Sequence, residues 1–346
     1  MEIILIIPLL VSFLATLFIM PKWIGKAKTI GLVWEDMNKF ERKKETAGSG
    51  GLVVMMGFIL GVLFYIFIQT FYFRTATNLN EVLSLEIKLF ALTTSLLILG
   101  SVGLIDDLLG WWHGGLSKRF RLIMFIFATV PLIVINAGSS NISIPFFDGI
   151  DLGLLYVLVV IPLGIAGAAS SFNFLAGFNG LEAGQGIIII SALSFVTYFA
   201  GNSWLALMGL CMVFSLLAFL YFNKFPAKIF PGDSLTYPVG GMIAIMAILG
   251  DMEKIAVFFF IPYILEVTLK TRGKLKMHSF GKPNKDNTLE MPYDKIYGLE
   301  HLSIWALKKI KKDGKVYEKD VVHLIWGLQI LIVLLGLILF SGGILA

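Results

Sequence analysis

Long apolar stretches recur along the whole chain, and short polar segments separate them. A helix needs about 20 mostly apolar residues to cross the hydrocarbon core of a bilayer. The pattern therefore predicts an all-α polytopic membrane protein with about ten transmembrane helices. We place them near residues 2–20, 51–72, 88–105, 119–137, 152–170, 186–200, 203–222, 237–250, 254–271 and 321–341. Residues 141–153 alternate apolar and polar positions, which predicts a short β-hairpin.

The composition agrees with a single membrane domain over residues 1–346. Hydrophobic residues make up 57% of the chain, and the mean hydropathy is +0.85, whereas soluble domains average about 45–50% apolar residues. The first apolar stretch begins at Ile3 without a basic leader or a small-residue cleavage site, so we expect a retained helix rather than a signal peptide. Cys211 is the one cysteine, which excludes an intrachain disulfide and a cysteine-based metal site.

The basic residues lie almost entirely on one side of the predicted helices. With the N-terminus outside, the inner loops 21–50, 106–121, 223–236 and 270–320 hold 25 of the 28 lysines and arginines. Cytoplasmic loops of membrane proteins carry this excess of positive charge. We therefore expect both termini outside and the large polar loops, including 171–186, in the cytoplasm.

Acids and amides cluster at the predicted inner ends of the helices. They are Asp36, Asn38, Asp106, Asp107, Asn173, Asn179, Glu182, Gln185, Asn223 and Asp233. Oxygen ligands without histidine or cysteine suit Mg²⁺, with Mn²⁺ as the alternative, and Mg²⁺ is commonly completed by substrate phosphates. Nearby cations, namely Lys39, Lys118, Arg119, Arg121 and Lys282, also suit phosphate. The pattern predicts a phosphate-bearing cytoplasmic substrate and a second reactant dissolved in the membrane.

Each of these motifs also has a purely structural explanation. Asp106 and Asp107 could end the third helix at the headgroups beside Trp111 and Trp112, although acids at a helix C-terminus oppose the macrodipole. The segment "NGLEAGQG" could be a turn, and "FPGDS" could be a helix cap whose free N–H groups would bind phosphate. The basic loop 270–320 could attract anionic lipid. Together, these explanations leave the shared face of the acids and amides unexplained.

Three motifs in order, "GLIDDLLGW", "NFLAGFNGLEAGQ" and "FPGDS", resemble those of the polyprenyl-phosphate N-acetylhexosamine-1-phosphate transferases. "NGLEAGQ", "DMNK" and "LEMPYDK" are similar to the eukaryotic-type branch, which acts on UDP-GlcNAc and dolichyl phosphate. The resemblance implies transfer of a sugar-1-phosphate from a UDP-sugar to a polyprenyl phosphate, with release of UMP. It makes UDP-GlcNAc the expected donor and argues against a MurNAc-pentapeptide substrate.

The resemblance also implies roles for individual residues. Asp233 and Asn179 would hold Mg²⁺, and Asp106 and Asp107 would line the lipid phosphate, which Lys118 or Arg121 would face. The expected substrate-binding residues are Phe230, stacking on uracil, Gln185 and Met37 at the nucleoside, and Asp36, Asn38 and Lys39 at the donor site. Asn173 could bind substrate or tie a loop. In "HSFGKP" (278–283), His278 and Lys282 stand where the eukaryotic-type enzymes carry two arginines.

Two other functions remain open from the sequence, a membrane transporter of an anionic solute and a non-catalytic scaffold. Against a transporter, charges are almost absent from the helix interiors, Glu266 excepted, whereas transporter sites lie near the bilayer midplane. We expect a UDP-sugar, a polyprenyl or dolichyl phosphate and membrane lipid as partners, and no nucleic acid. The resemblance alone suggests a homodimer. An archaeal plasma membrane is the favoured location, followed by the eukaryotic ER membrane.

Overall fold

The computed structural model describes residues 3–73, 79–144 and 147–344. Fourteen α-helices are described, and short 3₁₀ or π turns lie at Ile3–Leu5, Gln69–Phe73 and Tyr156–Val160. The helices are α1 (Ile6–Ile30), α2 (Gly51–Ile68), α3 (Leu79–His113), α4 (Lys118–Ala128), α5 (Val130–Val134), α6 (Ile161–Phe172), α7 (Leu181–Phe199), α8 (Ser203–Asn223), α9 (Asp233–Leu249), α10 (Glu253–Phe259), α11 (Ile261–Arg272), α12 (Leu299–Ile310), α13 (Glu318–Leu339) and α14 (Ser341–Ile344).

The described strands form three small antiparallel pairs. They are β1 (Val33–Glu35) with β2 (Lys44–Ala47), β3 (Asn141–Ile144) with β4 (Phe147–Asp151), and β5 (Lys282–Pro283) with β6 (Leu289–Glu290). The β3–β4 pair confirms the predicted hairpin, with Asn141 opposite Asp151; its residues 145–146 lie outside the described residues.

Six of the described helical segments are long and apolar enough to cross a bilayer. They are Ile3–Ile30, Gly51–Tyr72, Leu83–Trp111, Leu181–Phe199, Ser203–Asn223 and Glu318–Leu339. Tyr156–Phe172 and Asp233–Leu249 are shorter apolar helices. The chain is therefore an α-helical integral membrane protein, while ten spans and their orientation stay a prediction.

Two predicted spans are each broken into two helices. The stretch 119–137 changes from α4 to α5 at Thr129, and 254–271 changes from α10 to α11 at Phe260. A proline follows each break by two residues, Pro131 and Pro262. Proline lacks the N–H of an interior helical bond and clashes with the preceding turn, so it favours a new helix start at these places.

Helix α3 is longer than predicted, and this changes the position of the paired acids. The predicted end was residue 105, but the helix continues to His113 and is followed by Gly114 and Gly115, both with left-handed φ angles. Glycine adopts that conformation without steric cost and commonly ends helices. The expectation that Asp106 and Asp107 end the third helix was wrong, and the macrodipole argument does not apply to them.

Other boundaries also moved. Helix α1 continues through Pro21 to Ile30, α7 begins at Leu181 rather than 186, and α9 begins at Asp233 rather than 237. Helix α12, inside the predicted loop 270–320, was not foreseen.

Helix α9 is the centre of the packing, because its residues are buried continuously from Ser234 to Ile248. It packs against α2, α3, α6, α7 and α10. Small residues allow the closest approaches at its N-terminal end. A Cβ added at Gly103 of α3 would lie 2.2 Å from the Asp233 carbonyl oxygen, and one added at Gly51 of α2 would lie 2.1 Å from the Leu235 nitrogen. Gly103 thus lets α3, which carries the acids, approach the start of α9, and Gly51 does the same for α2.

Candidate active site

A cavity of about 970 Å³ lies at the N-terminal end of α9. Its wall takes residues from all five predicted inner loops, 21–50, 106–121, 171–186, 223–236 and 270–320. The predicted site residues on the wall are Asp36, Met37, Asp107, Lys118, Arg121, Asn173, Phe230, Asp233 and His278. The prediction that these distant loops serve one site agrees with this geometry.

Asp107 holds the first turn of α9. Its Oδ1 accepts a hydrogen bond from the Asp233 N–H at 2.7 Å, and its Oδ2 accepts from the Ser234 hydroxyl at 2.8 Å and the Ser234 N–H at 3.3 Å. The first N–H groups of a helix have no partner within it, and a negative charge is favoured there. A carboxylate of α3 thus caps α9, and the N–H groups that we had expected to be free for phosphate are occupied.

Asp106 connects α3 to the next helix and to α9. Its Oδ1 accepts from the Leu116 N–H at 2.6 Å, and its Oδ2 accepts from Arg121 Nη1 at 3.1 Å. The Tyr237 hydroxyl lies 2.9 Å from the same Oδ2 and 2.5 Å from Asp233 Oδ2. Sequence reasoning missed Tyr237, although it lies one helical turn after Asp233 and so on the same face of α9.

Asp106, Asp107 and Asp233 form what we call the acid centre. Arg121 is its basic partner: Nη1 lies 3.8 Å from Asp233 Oδ2 and donates to the Tyr237 hydroxyl at 2.9 Å, besides its bond to Asp106. Two carboxyl groups, those of Asp106 and Asp233, thus share one guanidinium, while Asp107 contacts the start of α9 instead. Asp107 and Asp233 line the cavity, where carboxyl oxygens can serve a bound cation. Lys118 is exposed on the wall nearby.

A second polar group, the loop cluster, consists of Asp36, Lys39, Asn179 and Glu318. Asn179 donates through Nδ2 to Asp36 Oδ2 at 3.0 Å and through its backbone N–H to Glu318 Oε1 at 2.7 Å. Lys39 pairs with Glu318 and lies 3.4 Å from Asp36 Oδ2. Sequence reasoning missed Glu318, which is 2% exposed at the start of α13.

Six of the predicted site residues do not line the cavity wall. Asp106 lies in the acid centre and Lys39 in the loop cluster, and the other four are Asn38, Asn179, Gln185 and Lys282. Asn179 is 5% exposed, and its contacts are with the loop cluster rather than with Asp233. Gln185 is fully buried on α7. Asn38, also buried, donates to the Gly177 carbonyl at 2.9 Å and accepts from the Gly281 N–H at 3.1 Å, so it ties three loops together. Lys282 is exposed on β5, away from the wall.

Asn173 has a loop-tying contact and also lines the cavity. Its Oδ1 accepts from the Thr236 hydroxyl at 3.1 Å, which joins the end of α6 to the first turn of α9. Both roles left open by the sequence are therefore compatible with its position.

The comparisons with known proteins agree with this site. Residues 89–251, which include the acid centre, match the sequence profile described as glycosyl transferase family 4. A relative from Saccharolobus solfataricus is 35% identical over 97% of this chain and 96% of its own length. The chain belongs to glycosyl transferase family 4. This confirms the resemblance carried by the three motifs, and the transporter hypothesis gains no support.

Further relatives bear the names of two kinds of transferase. One from Sulfolobus acidocaldarius is 32% identical over 96% of this chain and 95% of its own length. One from Dictyostelium discoideum, 28% identical over 66% of this chain and 60% of its own length, is named UDP-N-acetylglucosamine–dolichyl-phosphate N-acetylglucosaminephosphotransferase. The Saccharolobus and Sulfolobus relatives bear the same name as a provisional assignment. A Halalkalibacterium halodurans relative, 26% identical over 79% of this chain and 86% of its own length, is named phospho-N-acetylmuramoyl-pentapeptide-transferase.

The donor atoms of this glycosyl transferase family 4 member fit a magnesium ion that binds together with substrate. Among the described residues, no three histidine, cysteine, aspartate or glutamate side chains form a ready metal cage. Mg²⁺, however, commonly uses one or two carboxylates together with substrate phosphates. Asp233, whose side chain is 23% exposed at the cavity, is the carboxylate in a position to serve.

Proposed function

We propose that this protein transfers N-acetylglucosamine-1-phosphate, or a related N-acetylhexosamine-1-phosphate, from a UDP-sugar to a polyprenyl or dolichyl phosphate. UMP is released, and a lipid-linked sugar pyrophosphate remains. The observation that carries the proposal is the acid centre, two of whose residues, Asp107 and Asp233, line a cavity of about 970 Å³ to which all five predicted inner loops contribute. The names of relatives that align over nearly the whole chain support the same reaction.

In the proposed reaction, an oxygen of the lipid phosphate attacks the β-phosphorus of the donor, and the bond from that phosphorus to UMP breaks. UMP departs with the bonding electron pair. A phosphate monoester has a second pKa of about 6 and is mostly ionised near neutral pH, so the attacking oxygen needs no strong base. Catalysis then consists mainly of positioning and charge stabilisation.

The contacts of the acid centre suggest a separate role in the reaction for each of its residues. Both oxygens of Asp106 and both oxygens of Asp107 already accept hydrogen bonds, which favours a positioning role over proton transfer. Asp107 would fix the start of α9, and Asp106 would orient Arg121. The guanidinium of Arg121 and the ammonium of Lys118 would meet phosphate oxygens in the cavity.

We propose Mg²⁺, with Mn²⁺ as a substitute, as the cofactor, held by Asp233 together with donor phosphates. Asn179 could add its amide oxygen, since its amide nitrogen is the atom bonded to Asp36. When bound, the ion would neutralise charge on the pyrophosphate and on the leaving group. Phe230 and Met37, both on the wall, would contact the nucleoside.

The proposed setting is a membrane with the cavity facing the cytoplasm, ten spans and both termini outside. The plasma membrane is the proposed location for an archaeal chain, and surface glycan or N-glycan assembly is the proposed use of the product. Homodimerisation and lipid binding by the basic loop 270–320 belong to the same proposal.

A transfer assay on purified, detergent-solubilised protein tests this function. Labelled UDP-GlcNAc and a polyprenyl phosphate are incubated with Mg²⁺ or with EDTA, and label is followed into the organic phase. We expect label in the lipid and released UMP with Mg²⁺ alone. If folded protein transfers no label from a panel of UDP-N-acetylhexosamines, the proposed function is wrong.

Substitution of Asp233 tests the role of the acid centre. Asp233→Asn should lower Mg²⁺-dependent turnover by about 10²-fold or more, because an amide holds a hard cation poorly and loses a charge that faces the phosphates. Asp251→Asn is the matched control: Asp251 lies just past the opposite end of α9, where its Oδ1 accepts from the Ser139 N–H at 2.7 Å. Equal activity of the two variants would contradict the assignment.

A further inference from the structure

Lys270, near the end of α11, is the one buried lysine or arginine among the described residues. It is 7% exposed, and it belongs to the cavity wall. Its ammonium donates to the Ser279 hydroxyl and lies 3.5 Å from Glu266 Oε1. Sequence reasoning assigned no function to Lys270 or Ser279.

The surroundings of Lys270 are acidic. Glu182, Glu266 and Glu300 are buried, and each has a buried carboxyl oxygen without a hydrogen-bond partner among the described residues. Glu266 and Glu300 approach each other at Gly298, where an added Cβ would lie 3.0 Å from Glu266 Oε1 and 2.7 Å from Glu300 Oε2. Of the three, Glu182 also lines the cavity, and Lys270 supplies the positive charge on this part of the wall.

The geometry leaves Lys270 able to bind a further acceptor. An ammonium carries three N–H donors; one is used in the hydrogen bond to Ser279, and Glu266 Oε1 lies at ion-pair distance, 3.5 Å, without a hydrogen bond. Ser279 and the neighbouring His278 both line the cavity, so a remaining donor lies beside space that a ligand can enter. A Lys–Glu pair that only stabilised the fold could lie anywhere in the interior, whereas Lys270 lies on the cavity wall.

The other basic residues of the wall are placed differently. Arg121 is bound to the acid centre, while Lys44 and Lys118 are exposed. Lys270 is therefore the wall's buried cation, in a setting where a charge–charge contact is weakly screened by water.

We propose that Lys270 binds the diphosphate of the nucleotide-sugar donor, with Ser279 and Glu266 holding its ammonium in position. This inference rests on the proposed function and names a substrate-binding residue for it. Lys270 distinguishes a diphosphate from a bare nucleoside, because it supplies a point charge to phosphate oxygens and makes no use of the base.

Direct binding measurements test the proposal. Calorimetric titration of the solubilised protein with UDP-GlcNAc, UDP and uridine is compared for wild type, Lys270→Met and Lys270→Arg. We expect Lys270→Met to weaken UDP-GlcNAc and UDP binding by about tenfold or more and uridine binding by less than about twofold, with Lys270→Arg intermediate. Lys276→Met, an exposed lysine of the same segment, is the matched control and should bind all three as wild type does.

A double variant separates binding from structural support. In Lys270→Met, Glu266 would be left buried and unpaired, which by itself can disturb the fold. Lys270→Met/Glu266→Gln removes both charges and carries the test if the single variant does not fold. Continued weak binding of UDP-GlcNAc in the double variant supports contact with the donor, whereas recovery of wild-type affinity overturns it.

The outcomes also distinguish this inference from the function on which it rests. If wild-type protein transfers label and binds UDP-GlcNAc, but Lys270→Met binds it equally well, the inference on Lys270 alone is wrong. If wild-type protein neither transfers label nor binds UDP-GlcNAc, both the function and the inference are overturned.

Discussion

Asp106 and Asp107 are consecutive in the chain, yet they contact different parts of the protein. Successive residues of a helix point about 100° apart, so Asp107 faces the start of α9 while Asp106 faces Leu116 and Arg121. At the scale of single residues, a motif of paired acids therefore contains two separable functions, one in capping a helix and one in holding a guanidinium.

His301 on α12 should make stability depend on pH. Burial, and after it the charge of Lys270, lowers its pKa to about 4. An unfolded histidine has a pKa of about 6.5, so between these values the unfolded chain binds a proton that the folded chain does not. Stability should therefore fall, by about 1–3 kcal/mol, as the pH drops from about 6.5 towards 4.

Thermal unfolding in detergent at several pH values measures this effect. His301→Gln should lose less stability than wild type between neutral and acidic pH, and His323→Gln, at an exposed position, should keep the wild-type dependence. Burial raises the pKa of the adjacent Glu300 well above its usual range, and that carboxyl titrates in the opposite sense. Glu300 is present in wild type and in both variants, so its contribution is the same in every comparison. Equal pH dependences of wild type and His301→Gln would therefore contradict the assignment of the effect to His301.

Residues of the site were predictable where a local motif carries them. The paired acids, Asp233 and Phe230 lie in short runs that can be recognised in the sequence, and the structure brings them to one region. Glu318 could not be found in this way, because its partner Asn179 joins it only through the tertiary fold. Lys270 has a local partner in Glu266, one helical turn earlier, but its contact with Ser279 and its place on the cavity wall depend on the fold. Tyr237 had a local signal, its position four residues after Asp233, but only the approach of α3 gives it a second carboxylate.

At the scale of the elements, the start of α9 depends on Gly232. Its φ is +71°, a conformation that L side chains rarely adopt, and an added Cβ would lie 2.2 Å from Asp107 Oδ2. Gly232→Ala should therefore destabilise the protein by about 1–3 kcal/mol and displace the cap. Thermal unfolding and the transfer assay would both report the change.

Gly164→Ala is the matched control for this substitution. Gly164 lies inside α6, and an added Cβ would have open space around it. Alanine favours a helix interior by about 0.5–1 kcal/mol over glycine, so this variant should be as stable as wild type or slightly more stable. If both alanine variants behaved alike, the close approach of Gly232 to Asp107 would have no energetic importance.

The positions of the elements along the chain were more predictable than their number or their ends, since ten helices were predicted and fourteen are described. Hydrophobicity marks where a helix can be buried in lipid, and each predicted apolar segment falls on helix. Hydrophobicity does not mark the residue at which the backbone hydrogen bonds of a helix end. Helix α3 continues past Asp106 and Asp107, whose carboxylates accept hydrogen bonds from Leu116, Arg121 and the start of α9, and it ends at His113, just before Gly114 and Gly115.

At the scale of the whole molecule, the orientation can be tested with introduced cysteines. Cys211 is fully buried, so it should react little with a membrane-impermeant maleimide. Ser139→Cys, near the end of α9 away from the cavity, should be labelled from outside intact cells. Lys285→Cys, exposed in the loop 270–320, should be labelled only after permeabilisation. The reverse pattern would show that the cavity faces outwards.

At the same scale, the expectation that distant loops meet came from charge and hydropathy, which assign these loops to one side of the predicted topology, and the cavity lined by all five agrees with it. The arrangement within that face was not predictable. Asn38 lies between the Gly177 carbonyl and the Gly281 N–H, residues that are far apart in the chain, and no periodicity encodes such a contact.

The hydroxyl of Tyr237 has one further consequence. The hydroxyl carries a single hydrogen, and carboxylate oxygens of both Asp106 and Asp233 lie within hydrogen-bond distance of it. Arg121 donates a hydrogen bond to the hydroxyl oxygen. The hydroxyl hydrogen can turn to one acid or to the other while every heavy atom stays in place. The two carboxylates thus compete for one donor, and whatever neutralises Asp233 in the cavity releases the hydrogen to Asp106. Occupancy of the cavity can in this way be communicated to α3 by the rotation of one O–H bond.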